Sequence, residues 1–349
     1  MEFEAGLSMG HGDRLRIGVI GAGYWGPNLI RNFQQVSGAR VTCVCDLSEE
    51  RLRYIRAHYP TIRTTKAYGD ITSHPEVDAV CVATPVRHHY EMARKALENG
   101  KHVLVEKPIT SSSEEARALV DLARQRERVL LVDHTFEYTP AVTRIKEIVD
   151  SGELGDIYYI SMSRLNLGIF QKDINVVWDL APHDISILHY VLQDMPESVS
   201  ARGNANILPG IEDVAMVTLH FPRNVIAYLQ VSWLDPCKIR RATFVGSKKM
   251  LVYDDVEPLE KIKIYDKGVN GPMHYDTFGE FQFSYRYGDI YTPYLANHEP
   301  LSVECRHFVE CITNGSKPRT DGISGLNVVR VLEAAQRSIK SGGATEKIS

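Results

Sequence analysis

Lys107, Asp179 and His183 are the residues of this 349-residue chain whose types and settings could move a proton and hold a developing charge. Lys107 follows the apolar run "KHVLVE" within Glu106-Lys107-Pro108, and Asp179 and His183 stand four apart in "WDLAPHDISIL". Residues four apart are neighbours on a helix surface, so carboxylate and imidazole face the same way. An imidazole titrates near neutral pH and suits an acid/base role. An ammonium can hydrogen-bond a reacting oxygen and stabilise its negative charge. A base for a hydroxyl proton and a cation for the alkoxide are what a secondary alcohol needs to give up hydride to a nicotinamide. Each group also has a plainer reading. Lys107 could be a surface lysine at a strand end, Asp179 a cap for the helix containing Pro182 and Asp184, and His183 a hydrogen-bonded histidine.

The elements that would position such groups begin at "RIGVIGAGYWGPNLIRNF". Gly21, Gly23 and Gly26, with Tyr24 and Trp25 between them, have the G-x-G-x-x-G spacing directly after a strand-like run and at the start of a helical pattern. Asp46 ends the next strand-like run, 20 residues past Gly26. Together these form a dinucleotide fingerprint. Gly21 permits the tight turn, Gly23 lets backbone approach a pyrophosphate, and Gly26 lets helix and strand pack closely. Free N–H groups at the helix start then face the phosphate. Asp46 can accept from both hydroxyls of an adenosine ribose and would repel a 2′-phosphate, which favours NAD over NADP. Leu47 follows it, where an NADP site often has Ser or Arg. The plainer reading of Asp46 is a cap for the helix that begins near Ser48.

Length favours two domains of roughly 100–200 residues. Through "RVLLVD" the chain alternates apolar strand-like runs with helical patterns, which argues a doubly wound parallel sheet covered on both faces, a Rossmann domain over residues 15–134. "SSSEEARALVDLARQRER" opens with serines and two glutamates, a good helix start. After His134 come a helix, a strand, the helix with Asp179 and His183, then long runs of period-two character, "EDVAMVTLHF" and "NVIAYLQVSWL" among them. Residues 135–349 therefore read as an α+β domain with a large, mostly antiparallel open sheet, for substrate binding and oligomerisation. Residues 1–14 read as a disordered leader or a cloning remnant, with Met9 an alternative start.

A net charge of −4 with mixed signs gives no nucleic-acid footprint or basic membrane patch, and no apolar run approaches the roughly 20 residues of a membrane helix. Six cysteines without a C-x-x-C pair read as buried, reduced thiols, which fits the cytoplasm. His88-His89 could suggest a metal, but no third ligand stands at a recognisable spacing, so no metal is expected.

The glycine fingerprint, "ATPVRHH", Glu106-Lys107-Pro108 and Asp179-x-x-x-His183, in this order, resemble the Gfo/Idh/MocA oxidoreductase family from Leu15 to about Gly343. The resemblance implies a cis bond before Pro108, Glu106 reaching the nicotinamide ribose, and Thr84 and Pro85 lining the cofactor cleft with His88 close by. It also implies that Lys107 faces the nicotinamide and that Asp179 holds a substrate hydroxyl.

The family acts on sugars, inositols and nucleotide sugars, and fold cannot choose among them. The segment "SRLNLGIFQKDINVVWDLAPHDI" should lie over the substrate, offering Arg164, Asn166, Lys172, Asn175 and Trp178. Amide and indole suit sugar hydroxyls and ring faces, and the cations suit phosphate or carboxylate. Arg240 and Arg241 could meet a pyrophosphate or could belong to an exposed strand face. This segment and the C-terminal helices look most similar to the branch that oxidises C3 of UDP-N-acetylhexosamines or their uronic acids. An inositol or free-sugar dehydrogenase, a 3-ketosugar reductase and a non-catalytic NAD-binding regulator are the alternatives. The long antiparallel strands need their outer face covered, which predicts a homodimer or homotetramer through the sheet of the second domain.

Overall fold

The computed structural model describes residues 14–270 and 284–349. The expected N-terminal leader lies, but for Arg14, outside the described residues. The first elements are β1 (Leu15–Ile20), α1 (Gly26–Gln35), β2 (Ala39–Cys45), α2 (Glu49–His58), β3 (Arg63–Thr65), α3 (Gly69–Thr72), β4 (Ala79–Val82), α4 (His89–Glu98), β5 (His102–Glu106), α5 (Ser113–Gln125) and β6 (Leu130–Asp133). Next come α6 (Pro140–Asp150), β7 (Ile157–Leu165), α7 (Val176–Leu192), β8 (Ser198–Asn204), β9 (Val214–His220), β10 (Ile226–Ser232), β11 (Ile239–Gly246), β12 (Met250–Asp254), β13 (Ile262–Asn270) and β14 (Ser284–Tyr291). The chain closes with α8 (Pro300–Asn314), α9 (Gly322–Lys340) and β15 (Glu346–Lys347).

The near-continuous apolar runs give strands buried on both faces: all four residues of β4 and of β6 are buried. They pair in parallel in the order β3-β2-β1-β4-β5-β6, so the chain reverses its winding beside β1, between β2 and β4. That reversal is where open α/β sheets bind ligands, at the carboxyl ends of the strands. The capping serine predicted for α5 is Ser112, whose side chain accepts from the Glu115 N–H at 3.2 Å. β3 was not legible, because Arg63–Thr65 is three residues long and none of them is buried.

The first unit runs to Tyr138 and also takes in His298–Val329; the second holds Thr139–Asn297 and Arg330–Ser349. The structure differs here from the expected division at residue 134, because α8 and the start of α9 return to the first unit. α1 buries Leu29, Ile30 and Phe33 completely, and α8 supplies the cover. Leu301, Cys305, Phe308 and Val309 join that core, and the Phe33 and Phe308 rings meet edge to face at 6.2 Å.

In the second unit nine strands form one sheet, in the order β14-β13-β12-β11-β7-β10-β9-β8-β15. β7 and β10 run parallel, and the other pairs are antiparallel. The run "RRATFVGSKKMLVYDD" folds as two strands, β11 and β12, because Ser247–Lys249 turn the chain. β14 was not read from the sequence. α7 packs on β7, β9 and β10. On the opposite face Tyr159, Met216 and Tyr228 are exposed, and the two tyrosine rings meet edge to face at 6.4 Å. Cys43, Cys45, Cys81, Cys305 and Cys311 are buried free thiols, and Cys237 is exposed. No described helix is long and apolar enough to cross a membrane.

The join between β5 and β6 carries a titratable support. His102 Nδ1 accepts the Val129 N–H at 3.0 Å, which requires a neutral ring. Burial first, then the Arg128 charge, lowers the ring's pKa to about 4. An unfolded histidine titrates near 6.5, so between the two values the unfolded chain binds more protons. Stability should therefore be full above about pH 6.5 and fall as pH drops towards 4. In His102→Asn the amide oxygen can take the same N–H without titrating, so denaturant unfolding across this window should show a flatter pH dependence. An unchanged slope would remove His102 as its source.

Candidate active site

Two of the fingerprint glycines, Gly21 and Gly26, are required by close backbone approach. Gly21 has φ +99°, and a Cβ there would lie 2.3 Å from the Ala83 carbonyl oxygen. A Cβ on Gly26 would lie 2.0 Å from the Gly21 carbonyl oxygen. At Gly23 the nearest atom is the tip of Arg51 at 3.6 Å, so that part of the turn stays open to an incoming group. α1 starts here with no side-chain cap and no acidic residue in its first turn, which leaves its end favourable to an anion. The Ala22 N–H donates to Asp46 Oδ2 at 2.7 Å, and the Ser48 N–H donates to Oδ1 at 2.8 Å. Ser48 itself caps α2, so Asp46 is no cap; it is drawn to the turn, with Arg51 3.4 Å away. Open turn, bare helix start and adjacent carboxylate fit a dinucleotide.

Tyr24 is 89% exposed, whereas Trp25 turns inward and its indole N–H donates to Asp133 Oδ2 at 2.7 Å. Trp25 thus braces the turn against the end of β6. Asp133 also accepts from the Thr135 hydroxyl. Glu106 and Glu304 sit beside this carboxylate. Burial, then the charge of Asp133, pushes both glutamyl pKa values well up. Lys107 follows Glu106 and is half-buried, and the Lys107-Pro108 bond is cis. After β4, Thr84 is half-buried and Pro85 exposed, and His88 Nε2 accepts from Arg87 Nε at 3.1 Å.

Asp179 and His183 lie within α7, both half-buried and one turn apart. Here a sequence expectation is corrected. Asp179 does not cap this helix; Asn175 does, its Oδ1 accepting the Trp178 N–H at 3.1 Å. The Asn175 amide also donates to Glu212 at 2.5 Å and to Gln336 at 2.6 Å. Expected to bind substrate, Asn175 is buried and engaged in starting the helix. Asp179 is instead aimed by Trp233, whose indole N–H donates to Oδ2 at 3.0 Å. Trp233 is 1% exposed and nothing in the sequence marked it. Trp233 also anchors the segment after β7: the Gly168 N–H donates to its backbone carbonyl at 3.0 Å, and the Phe170 ring packs 5.4 Å from its indole.

Arg164 was also expected to face a substrate. It points inward from β7, 4% exposed, and both Nε and Nη2 donate to Asp184 Oδ1, at 3.0 and 2.6 Å. The pair locks α7 onto the sheet, and removing one partner would strand the other charge at a cost of about 3–5 kcal/mol. Arg240 faces the same interior, where burial and then the Arg164 charge lower its pKa, with Asp255 3.9 Å away. Arg241 is exposed on the opposite face, since neighbours on a strand alternate. The two arginines therefore cannot converge on one pyrophosphate. Among the segment's other residues, Asn166 and Trp178 are half-buried and Lys172 is exposed.

Two family descriptions match the chain. "Oxidoreductase family, NAD-binding Rossmann fold" matches residues 15–134, and "GFO/IDH/MocA C-terminal domain" matches residues 142–252. The chain is 29% identical to the UDP-N-acetylglucosamine 3-dehydrogenase of Acidithiobacillus ferrooxidans over 330 residues, 92% of this chain and 95% of that one. A solved structure of that enzyme superposes with a TM-score of 0.77 at 25% identity, covering 94% of this chain and 98% of the other. The NAD-dependent scyllo-inositol 2-dehydrogenase of Bacillus subtilis is 26% identical over 344 residues, 94% of this chain and 95% of that one. The glycine turn and the Lys107 and Asp179/His183 motifs thus sit within matches that span both units, and the chain belongs to the Gfo/Idh/MocA family of NAD-dependent oxidoreductases.

Proposed function

We propose that the protein oxidises the C3 hydroxyl of a UDP-N-acetylhexosamine, or of its uronic acid, to a ketone. The observation that carries this reading is the likeness to a UDP-N-acetylglucosamine 3-dehydrogenase, found in sequence and in fold and running nearly the length of both chains. The second reading, an inositol or free-sugar dehydrogenase, draws on the 26% identity to a scyllo-inositol 2-dehydrogenase over a similar span. A 3-ketosugar reductase would use the same lysine and histidine in the opposite direction. A non-catalytic NAD-binding regulator has no need of Lys107, Asp179 and His183 together.

The roles follow from the chemistry of each group. NAD, when bound, accepts the hydride from the carbinol carbon. His183 takes the hydroxyl proton, and the Lys107 ammonium donates to the oxygen as it becomes an alkoxide. Asp179, aimed by the Trp233 N–H, holds a substrate hydroxyl. Gly21, Gly23 and Gly26 cradle the pyrophosphate, and Asp46 takes the adenosine ribose. Thr84, Pro85, His88 and Glu106 serve the nicotinamide half. With Arg164 and Asn175 engaged in packing α7, sugar recognition falls to Asn166 and Trp178, and Lys172 is the exposed cation of the segment. The face carrying Tyr159, Met216 and Tyr228 packs on a second copy, giving a dimer or a tetramer built from dimers.

The test is nicotinamide absorbance during incubation with NAD and UDP-N-acetylglucosamine, its uronic acid, myo-inositol or glucose, each with and without a 2-oxo acid to recycle bound NADH. A signal confined to a UDP-sugar is expected, and a signal with inositol or glucose would establish the second reading. In the same assay Lys107→Ala and His183→Ala should each lower turnover by about 10²–10⁴-fold with NAD binding kept. His183→Ala should also lose the acid limb of the pH profile, and near-normal rates in either variant would refute its role. Asp46→Ser with Leu47→Arg should weaken NAD by about 10–100-fold and favour NADP, since a charged hydrogen bond is worth about 1.5–3 kcal/mol; an unchanged preference would leave Asp46 a purely structural acceptor. Light scattering at micromolar concentration should give a dimer or larger, and a stable monomer would exclude the sheet-to-sheet assembly.

A further inference from the structure

His89 is the first residue of α4, 1% exposed, with both ring nitrogens against backbone carbonyls. Nε2 lies 2.6 Å from the Thr84 oxygen and Nδ1 lies 2.9 Å from the Pro108 oxygen. Thr84 follows β4, and Pro108 follows Lys107 just past β5. The ring therefore spans the two loops at adjacent strand ends, one next to Pro85 and the other next to Lys107. A carbonyl only accepts, so a neutral ring, with one N–H, donates to one of the two at a time, and only the protonated ring donates to both. Burial is the strongest influence on the ring and pushes its pKa down; the two carbonyls pull it up, and the Lys107 and His88 charges push it down again. A lysine side chain has four rotatable carbons, and its ammonium stands only as firmly as the backbone beneath it. Catalytic groups misplaced by about 1 Å lose about 10²-fold in rate.

We propose that His89 is a positioning residue for Lys107: held between the Pro108 and Thr84 carbonyls, it fixes the β5 loop against the β4 loop and so sets where the Lys107 ammonium stands. His88, its neighbour, was the histidine singled out from the sequence. His89 is the one whose ring is enclosed by both loops. The inference rests on the reading of Lys107 as the group that stabilises the alkoxide.

The test uses the full-length protein with NAD and whichever substrate of the panel turns over. His89→Leu keeps bulk and removes both polar ends. His89→Asn places an amide N–H near the Nδ1 position, within reach of the Pro108 carbonyl. His89→Gln places one near the Nε2 position, towards Thr84. His89→Leu should lower kcat about tenfold or more while KM and the NAD dissociation constant move less than about threefold. His89→Asn should recover most of that loss and His89→Gln less, because the Pro108 bond lies beside Lys107. Wild-type kcat in all three, or a loss that follows NAD affinity, would overturn the proposal. If Lys107→Ala is inactive and the His89 variants are normal, the clamp alone is refuted; if Lys107→Ala is active, the reading of Lys107 is refuted first. Should the His89 variants not fold, imidazole NMR of the wild type and of Lys107→Ala decides. The His89 ring signals should move when Lys107 is removed, and unmoved signals would overturn the coupling.

Discussion

The approach of α1 to β1 is the constraint on which the first unit depends. A Cβ at Gly26 would meet the Gly21 carbonyl oxygen at 2.0 Å, and one at Gly21 would meet the Ala83 carbonyl oxygen at 2.3 Å. No side chain tolerates either distance, so glycine at both places is the condition for the helix to start directly above the strand. Its uncapped start and the Ala22 N–H bound by Asp46 then follow. With the helix this close, Leu29, Ile30 and Phe33 reach the core, and α8 completes the cover from far along the chain.

The second unit depends on α7 being held in one rotation. A helix carrying Asp179 and His183 presents them usefully only if its other faces are fixed. Asn175 starts the helix, Arg164 binds Asp184 from the sheet, and Trp233 reaches Asp179. Pro182 lies inside the helix and has no N–H for the carbonyl four residues before it, so packing must hold this stretch. Two residues with the chemistry of a substrate site, Arg164 and Asn175, prove to be part of this support. The same guanidinium that could bind a phosphate in solution binds a buried carboxylate here, and only burial distinguishes the two uses.

The two glutamates beside Asp133 have a related logic. Carboxyl groups crowded in a buried place cannot all ionise, because each charge raises the cost of the next. The pKa values of Glu106 and Glu304 are therefore raised, and Asp133 receives the Trp25 and Thr135 donors. The turn that faces the dinucleotide and the strand end that carries Lys107 are joined through this one carboxylate.

Local pattern alone determined much of this protein. Period and apolar runs gave the long strands of the parallel sheet and the helices between them. Glycine spacing gave the dinucleotide turn, and the four-residue step gave the shared face of Asp179 and His183, because each of these is set by the geometry of a single element. Tertiary structure decided what depends on two distant elements meeting. It assigned α8 to the first unit, made Arg164 a brace and Asn175 a cap, and brought in His89, Trp233 and Asp184. β3 and β14 were likewise settled by pairing, since β3 is three residues long and β14 is exposed nearly throughout. The physical reason is common to all of these: a residue's type fixes what it can bond, and only the folded chain fixes which partner is within reach.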